Sequence, residues 1–316
     1  MIGADIEIAI EFLLQNQLVA IPTETVYGLA ANALSAEAVV RIFEVKNRPF
    51  FDPLIVHTGS LAQITQLTEQ IPDKAWQLAE KLMPGPITLL LPKKPIIPDL
   101  VTSGLPDVAV RIPAHPLTLQ LLTALPFPLA APSANPFGYV SPTTAQHVQD
   151  QLGDKIPYIL NGGACSVGIE STIIGFSEPS PTIYRIGGIS VEEIMSIVGE
   201  VNVQTHSASN PKAAGMLQSH YAPLKPLILG EIADMLPLYP IEQVGILSFC
   251  TDYGAPNQII LSKNGNLAES ARNLFAALRQ FDTMPVTLIL AEPVPNTGLG
   301  RAINDRLRRA AAPVSH

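Results

Sequence analysis

The chain predicts an α/β protein of two domains: an N-terminal twisted mixed sheet with helices, then a smaller parallel α/β domain. Three observations lead there. A length of 316 residues, with 47% hydrophobic and 15% charged side chains, is enough for two buried cores. Charge is split unevenly, with 10 Lys+Arg against 19 Asp+Glu in residues 1–200 and 9 against 8 in residues 201–316. Between these parts lies Thr205-His-Ser-Ala-Ser-Asn-Pro211, polar and turn-rich as linkers are. We place a first domain at 1–200, a linker at 201–224 and a second domain at 225–316.

The first domain opens on an amphipathic helix, apolar at Ile6, Ala9, Ile10, Leu13 and Leu14. A short strand, Leu18–Ile21, runs into Pro22-Thr-Glu-Thr-Val-Tyr-Gly28, and Ser35 caps a helix through Val45. Leu54–His57 reads as a strand, Ala62–Leu67 and Lys74–Leu82 as helices. Pro84-Gly-Pro86 breaks the chain before the strand Ile87–Leu91. Val108–Ile112, Leu129–Pro132, Tyr158–Leu160, Ser171–Gly175 and Thr182–Ile186 read as further strands, and Thr143–Leu152 as a helix. Strict alternation is missing, hence a mixed sheet. In the second domain, strands at Leu227–Leu229, Val244–Phe249, Ile259–Leu261 and Val286–Leu290 are separated by helices, clearest at Leu267–Phe281 and Arg301–Ala311. That order gives a Rossmann-like parallel sheet.

Several classes are excluded. Disorder needs low hydrophobicity and high charge, and a basic nucleic-acid binder does not fit a net charge of −8. Two cysteines, Cys165 and Cys250, make neither a disulfide framework nor a metal cluster and suit a reduced, cytoplasmic setting. Asp5, Glu7 and Glu11 stand where an export signal carries Lys or Arg, so none is expected. The stretch from Ile112 to Gln149 lacks Asp, Glu, Lys and Arg, yet prolines interrupt it before it reaches the ~20 residues of a membrane span. It reads as the buried floor of a soluble protein. No phosphate loop of the G-x-x-x-x-G-K-[ST] type, HExxH or CxxC is present. Ala164-Cys-Ser-Val-Gly168 resembles a nucleophile elbow with its first glycine lost, but no helix pattern follows. Ser209-Asn-Pro-Lys212 matches S-x-x-K only by chance.

Four segments resist explanation as packing. Thr23-Glu-Thr-Val-Tyr-Gly28 sets three hydroxyls and a carboxylate at a strand end, a small polar ligand site or a capped turn. Lys46-Asn-Arg48 leaves a helix end, where cations complement the dipole but a point charge and a planar fork also suit polyphosphate. His57, at a strand end, is either a core imidazole or a ligand contact. Ala131-Pro-Ser133-Ala-Asn135 closes the uncharged stretch, with Arg111 at its other end; Ser and Asn at i, i+2 suit phosphate or ribose as well as an ordinary turn. Glu170-Ser171-Thr172 precedes Arg185, a charge inside an apolar strand that Glu170 or a bound anion would compensate.

Taken in order, Pro22-Thr-Glu-Thr-Val-Tyr-Gly-Leu29, Lys46-x-Arg48-Pro, Pro53-Leu-Ile-Val-His57, Pro84-Gly-Pro86, Val108-Ala-Val-Arg111, Ala131-Pro-Ser-Ala-Asn135 and Glu170-Ser-Thr172 resemble the YrdC family. With Ser219-His-Tyr-Ala-Pro223 and a second α/β unit, the likeness is to its long two-domain form and covers essentially the whole chain. The resemblance implies a YrdC-like catalytic domain and a nucleotidyltransferase making L-threonylcarbamoyladenylate from L-threonine, bicarbonate and ATP, with release of pyrophosphate. The product serves a tRNA-modifying threonylcarbamoyl transferase complex that forms N6-threonylcarbamoyladenosine. It implies that Thr25, His57, Arg111 and Ser171 hold threonine. It implies that Lys46, Arg48, Ser133, Asn135, Ser141, Arg185 and Tyr221 hold ATP, with Lys46 and Arg48 in the catalytic role and His220 beside Tyr221 in a lid. Mg²⁺ is expected with ATP, without a protein-bound metal site.

One position departs from the family pattern. Asp52 stands where Asn is usual before Pro-Leu-Ile-Val-His, and near a triphosphate it must either help hold Mg²⁺ or turn to a neighbouring cation. Ala213-Ala-Gly-Met216 likewise replaces a more usual Pro-Gly-Met in the linker. A YrdC-like module that binds RNA or assists ribosome assembly without turnover is the rival reading; the acidic first domain and the lack of aromatic–basic stripes argue against it. The arginines of the last helix, Arg301, Arg306, Arg308 and Arg309, read as a solvated face.

Overall fold

The computed structural model describes residues 1–177, 180–205, 213–216 and 221–312. Its first elements are β1 (Ile2–Gly3), α1 (Ile6–Leu14), β2 (Val19–Ile21), β3 (Gly28–Asn32), α2 (Ala36–Lys46) and β4 (Ile55–His57). There follow α3 (Leu61–Leu67), α4 (Asp73–Leu82), β5 (Ile87–Pro92), α5 (Asp99–Thr102), β6 (Asp107–Arg111), α6 (Pro116–Ala124) and β7 (Leu129–Ala130). The first sheet is completed by α7 (Ala145–Leu152), β8 (Tyr158–Leu160), β9 (Thr172–Gly175), β10 (Thr182–Arg185), α8 (Val191–Val198) and β11 (Asn202–Val203). The remainder comprises β12 (Leu227–Leu229), α9 (Ile232–Met235), β13 (Val244–Ser248), β14 (Gln258–Ile260), α10 (Leu267–Thr283), β15 (Leu288–Ala291) and α11 (Gly300–Ala310).

Local chemistry explains most boundaries. Asp5, Ser35, Ser60, Thr144, Ser190 and Asn266 cap helices by accepting from backbone N–H groups otherwise left unpaired. Asn47 ends α2 in the left-handed region at φ 51°, which Asn tolerates, and this turn redirects the chain at Arg48. Pro116 sits in the first turn of α6, where its missing N–H costs nothing.

Eleven strands form one sheet in the order β1-β8-β2-β3-β7-β4-β6-β5-β9-β10-β11, and four form a second in the order β12-β15-β13-β14. The first mixes parallel pairs, such as β4 with β6, and antiparallel ones, such as β5 with β6; the second is wholly parallel. Alternation along the central strands divides the two faces. Val56, Leu89, Val110 and Ile174 join the large core with α2 and α4, through Ile42, Phe43, Leu78 and Ala79. On the other face, Ile55, Leu90, Ala109 and Ile173 are covered by Ala213, Ala214 and Met216 of the segment between the sheets. α10 and α11 pack the second sheet and also reach Val26, Val140 and Ile169 of the first part. Among the described residues no helix is long and apolar enough to cross a membrane.

The expected element types largely hold. β3, α5, α6 and α8 were not anticipated, and neither were the two-residue strands β1 and β11. The uncharged stretch is thus partly a helix, not only a buried floor.

Candidate active site

A solvent-open pocket of about 570 Å³ lies on the sheet face covered by 213–216. Ligands of an open parallel sheet sit beyond strand ends. This mixed sheet has no single carboxyl edge, so Ile55, inside β4, and Ala131, just past β7, also line the pocket. His57 and Arg111 stand side by side because β4 and β6 are parallel with those residues in register. Gly28 lets β3 approach: a Cβ there would meet that of Ala131 at 3.1 Å.

At the Arg111 end, the Arg111 Nη2 lies 2.6 Å from Glu24 Oε1, and Glu24 Oε2 accepts from the Ala114 N–H at 3.0 Å. Arg111 also donates from Nε to the Gly85 carbonyl at 3.3 Å. The hydroxyls of Thr23 and Thr25 are 2.8 Å apart, and Thr23 donates to the Val26 carbonyl, which fixes this turn. Burial, with the neighbouring Arg111 charge, pushes the His57 pKa down to about 3, so its imidazole is neutral.

At the other end, Lys46 is almost fully buried, and its Nζ donates to the Ser133 and Asn135 carbonyls at 2.6 and 2.5 Å. Burial, together with Arg48, holds its pKa well below the usual lysine range. Arg48 donates to the Asp52 and Pro53 carbonyls at 3.1 and 2.9 Å, and its Nη2 lies 2.9 Å from the Asp52 carboxylate. Asp52 therefore turns to a cation. Burial raises its pKa against the pull of Arg48 and Lys46. Replacing Arg48 with Ala strands this carboxylate, which should cost about 3–5 kcal/mol. Adding Asp52→Asn should restore much of that, read as the midpoint of urea unfolding.

Arg185 donates from Nε to the Ser171 carbonyl and from Nη2 to the Ser171 hydroxyl, both at 2.9 Å, and from Nη1 to the Ala214 carbonyl at 3.4 Å. Ser171 also meets the Thr88 hydroxyl at 2.7 Å. Burial lowers the Arg185 pKa to about 10, which leaves it charged at neutral pH. Its ligands are carbonyls and a hydroxyl; among the described residues no carboxylate lies within ion-pair distance. Tyr221 is buried at φ 66°, stacked on Phe275 at 5.4 Å between ring centroids. The Arg306 and Arg309 guanidinia stand 5.1 and 4.9 Å from its ring.

Of the residues singled out from sequence, Thr25, Arg48, His57, Arg111, Ser133, Arg185 and Tyr221 line the pocket. Lys46, Asn135, Ser141 and Ser171 do not: Lys46 underpins the 133–135 loop, and Ser171 solvates Arg185. Asn135 donates to the Pro136 and Tyr139 carbonyls, and Ser141 donates to Glu170 Oε1 at 2.6 Å. Thr23, part of the polar segment singled out from sequence, also lines the pocket, whereas sequence reasoning missed the pairing of Glu24 with Arg111. The solvated face expected for the last helix holds for Arg308, which is exposed, and is corrected for Arg306 and Arg309, which are buried; Arg301 is partly exposed and pairs with Glu192. His220 and Ser209-Asn-Pro-Lys212 lie outside the described residues. Ser166, at the nucleophile position of the elbow-like segment, is exposed and lies outside this pocket, and the neighbouring Cys165 is buried, its thiol pushed up to about 12 chiefly by burial.

Comparison with known proteins gives two family matches. The Sua5/YciO/YrdC family, described as telomere recombination, matches residues 11–187, and the C-terminal domain of threonylcarbamoyl-AMP synthase matches residues 189–312. Threonylcarbamoyl-AMP synthase of Pyrococcus abyssi is 43% identical over 97% of this chain and 94% of its own length. That of Bacillus subtilis is 40% identical over 96% and 92%. The crystal structure of P. abyssi Sua5 complexed with L-threonine superposes with a TM-score of 0.91 at 42% identity, covering 97% of this chain and 94% of that one.

Proposed function

Since the chain belongs to the threonylcarbamoyl-AMP synthase family in its two-domain form, we propose that this pocket joins L-threonine, bicarbonate and ATP into L-threonylcarbamoyladenylate, with release of pyrophosphate. The observation that carries the reading is the charge pattern of its wall. Arg48, Arg111 and Glu170 each have an opposite charge as partner, whereas Arg185, among the described residues, is solvated by carbonyl and hydroxyl oxygens and awaits an anion.

Threonine enters at the Arg111 end, its carboxylate facing Arg111 and its hydroxyl within the Thr25 and neutral His57 surroundings. Its amine attacks bicarbonate carbon, water leaves, and a carbamate results. A carbamate oxygen then attacks the α-phosphorus of ATP in line; the P–O bond to the β-phosphate breaks and its electron pair leaves with pyrophosphate. No side-chain nucleophile is required. The enzyme contributes positioning, with Arg48 and Ser133 on the wall, and charge neutralisation by Arg185, with the nucleotide between Ser133 and Tyr221. Lys46 acts from behind, holding the 133–135 loop. The apolar cover of Ala213, Ala214 and Met216 excludes water that would hydrolyse the carbamate.

Mg²⁺ suits a triphosphate substrate. Glu24, Asp52 and Glu170 are each engaged by an arginine, and no cluster of three metal-ligating side chains occurs among the described residues. The ion therefore arrives as MgATP, held by phosphate oxygens and water. We place the enzyme in the cytoplasm, upstream of a transferase complex that passes the threonylcarbamoyl group to tRNA.

The test is pyrophosphate release from ATP, with threonine and bicarbonate each omitted in turn. Release should require both. Release with neither, or none under any condition, sinks the reading; salt-sensitive RNA binding without turnover would replace it with the rival one.

A further inference from the structure

The nucleotide end of the pocket is walled by a carboxylate, Glu170, which would repel a triphosphate unless it is neutralised. The compensating charge comes from the second domain. Nε and Nη2 of Arg306, on α11, both lie 3.0 Å from Glu170 Oε2. Its Nη1 donates to the Ile186 carbonyl and the Asp305 carboxylate, each at 2.8 Å, and Asp305 is itself 3.6 Å from Arg309. Glu170 Oε1 is occupied by the Ser141 hydroxyl, so its carboxylate is fully engaged. α10 holds the same loop: Arg279 donates to the Val140 and Ser141 carbonyls and to Gln151, and Asp282 accepts from Tyr139. Arg306 side-chain exposure is 0%. A fully buried arginine aimed at the wall of a pocket in another domain is not explained by the packing of its own.

We propose that Arg306 is a positioning residue for the nucleotide: by neutralising Glu170 it makes the second domain a structural part of the ATP site. The cluster of Glu170, Asp305, Arg306 and Arg309 then sums to zero, and the field at the pocket is left to Arg185. This rests on the reading that ATP occupies the pocket. Threonine, held at the Arg111 end, is affected little.

The experiment uses the full chain and calorimetric binding of a non-hydrolysable MgATP analogue and, separately, of L-threonine. Wild-type protein should bind both; failure to bind the analogue would overturn the functional reading and this proposal together. Arg306→Gln should weaken the analogue at least tenfold and leave threonine within twofold. Arg306→Lys, which keeps the charge, should stay within threefold for both ligands. Glu170→Gln/Arg306→Gln should bring analogue binding back to within threefold of wild type. That double variant leaves no buried unpaired carboxylate, so it carries the test should Arg306→Gln not fold. Unchanged analogue binding in Arg306→Gln, equal loss for both ligands, or a double variant still tenfold weak would each overturn the neutralisation role.

Discussion

Arg185→Met lowers kcat/KM for ATP at least a hundredfold and leaves threonine affinity within about threefold. The expectation follows from the surroundings of that guanidinium. Three carbonyl or hydroxyl oxygens solvate it without discharging it, so its field is free to meet charge developing on the α-phosphate. Single preorganised donors to a developing oxyanion are worth about 2.7–4 kcal/mol, or 10²–10³ in rate, and a full charge on a buried side chain belongs at the upper end. Ser171 loses two of its contacts in this variant, so some stability is lost as well. The discriminating measurement is steady-state pyrophosphate release with ATP and threonine varied separately. A threonine KM raised as far as that for ATP would place Arg185 elsewhere in the reaction.

The second large effect lies at the opposite end. Arg111→Met should raise the threonine KM about a hundredfold while binding of the MgATP analogue changes by less than threefold. An arginine–carboxylate contact desolvated in a pocket is a strong, charge-assisted pair. Glu24 complicates the result, since removal of Arg111 leaves a buried carboxylate facing the substrate carboxylate. Glu24→Gln/Arg111→Met separates the two contributions: it should recover folding stability and part of the threonine affinity, but not wild-type KM. Full recovery in the double variant would mean that Arg111 serves only to neutralise Glu24.

These two ends were unequally legible in the sequence. Arg185 stood out because a charge inside an apolar strand demands a reason, and Arg111 as the charge at one end of the uncharged stretch; the structure pairs Arg111 with Glu24 and sets Arg185 among carbonyl and hydroxyl oxygens. Lys46 and Arg48 stood out as a pair, yet only the fold shows that one underpins a loop while the other faces the pocket. Arg306 left no local mark. An amphipathic helix with arginines on one side ordinarily presents them to water, and this one is buried by Glu170, 136 residues away. The same physics governs the missed elements. β3 reads Gly-Leu-Ala-Ala-Asn, poor in strand formers, and is a strand because β2 and β7 flank it and need small residues. β1 and β11, two residues each, exist only through pairing with β8 and β10. α6 was hidden by reading Pro116 as a breaker, whereas in a first turn it is permissive.

The pairing of distant segments has a consequence for a chain made vectorially. Ile2 meets Ile159, and Glu170 meets Arg306. At about 5–20 residues per second on a ribosome, each partner is separated from the other by roughly 7–31 s of synthesis. During that interval the first strand has no ladder to join, and later the pocket carboxylate has no counter-charge. On the proposal above, a nascent chain that has already formed its large sheet therefore holds nucleotide only weakly until α11 emerges and docks. On that proposal, full affinity for ATP is thus acquired late, when the second domain docks against the first.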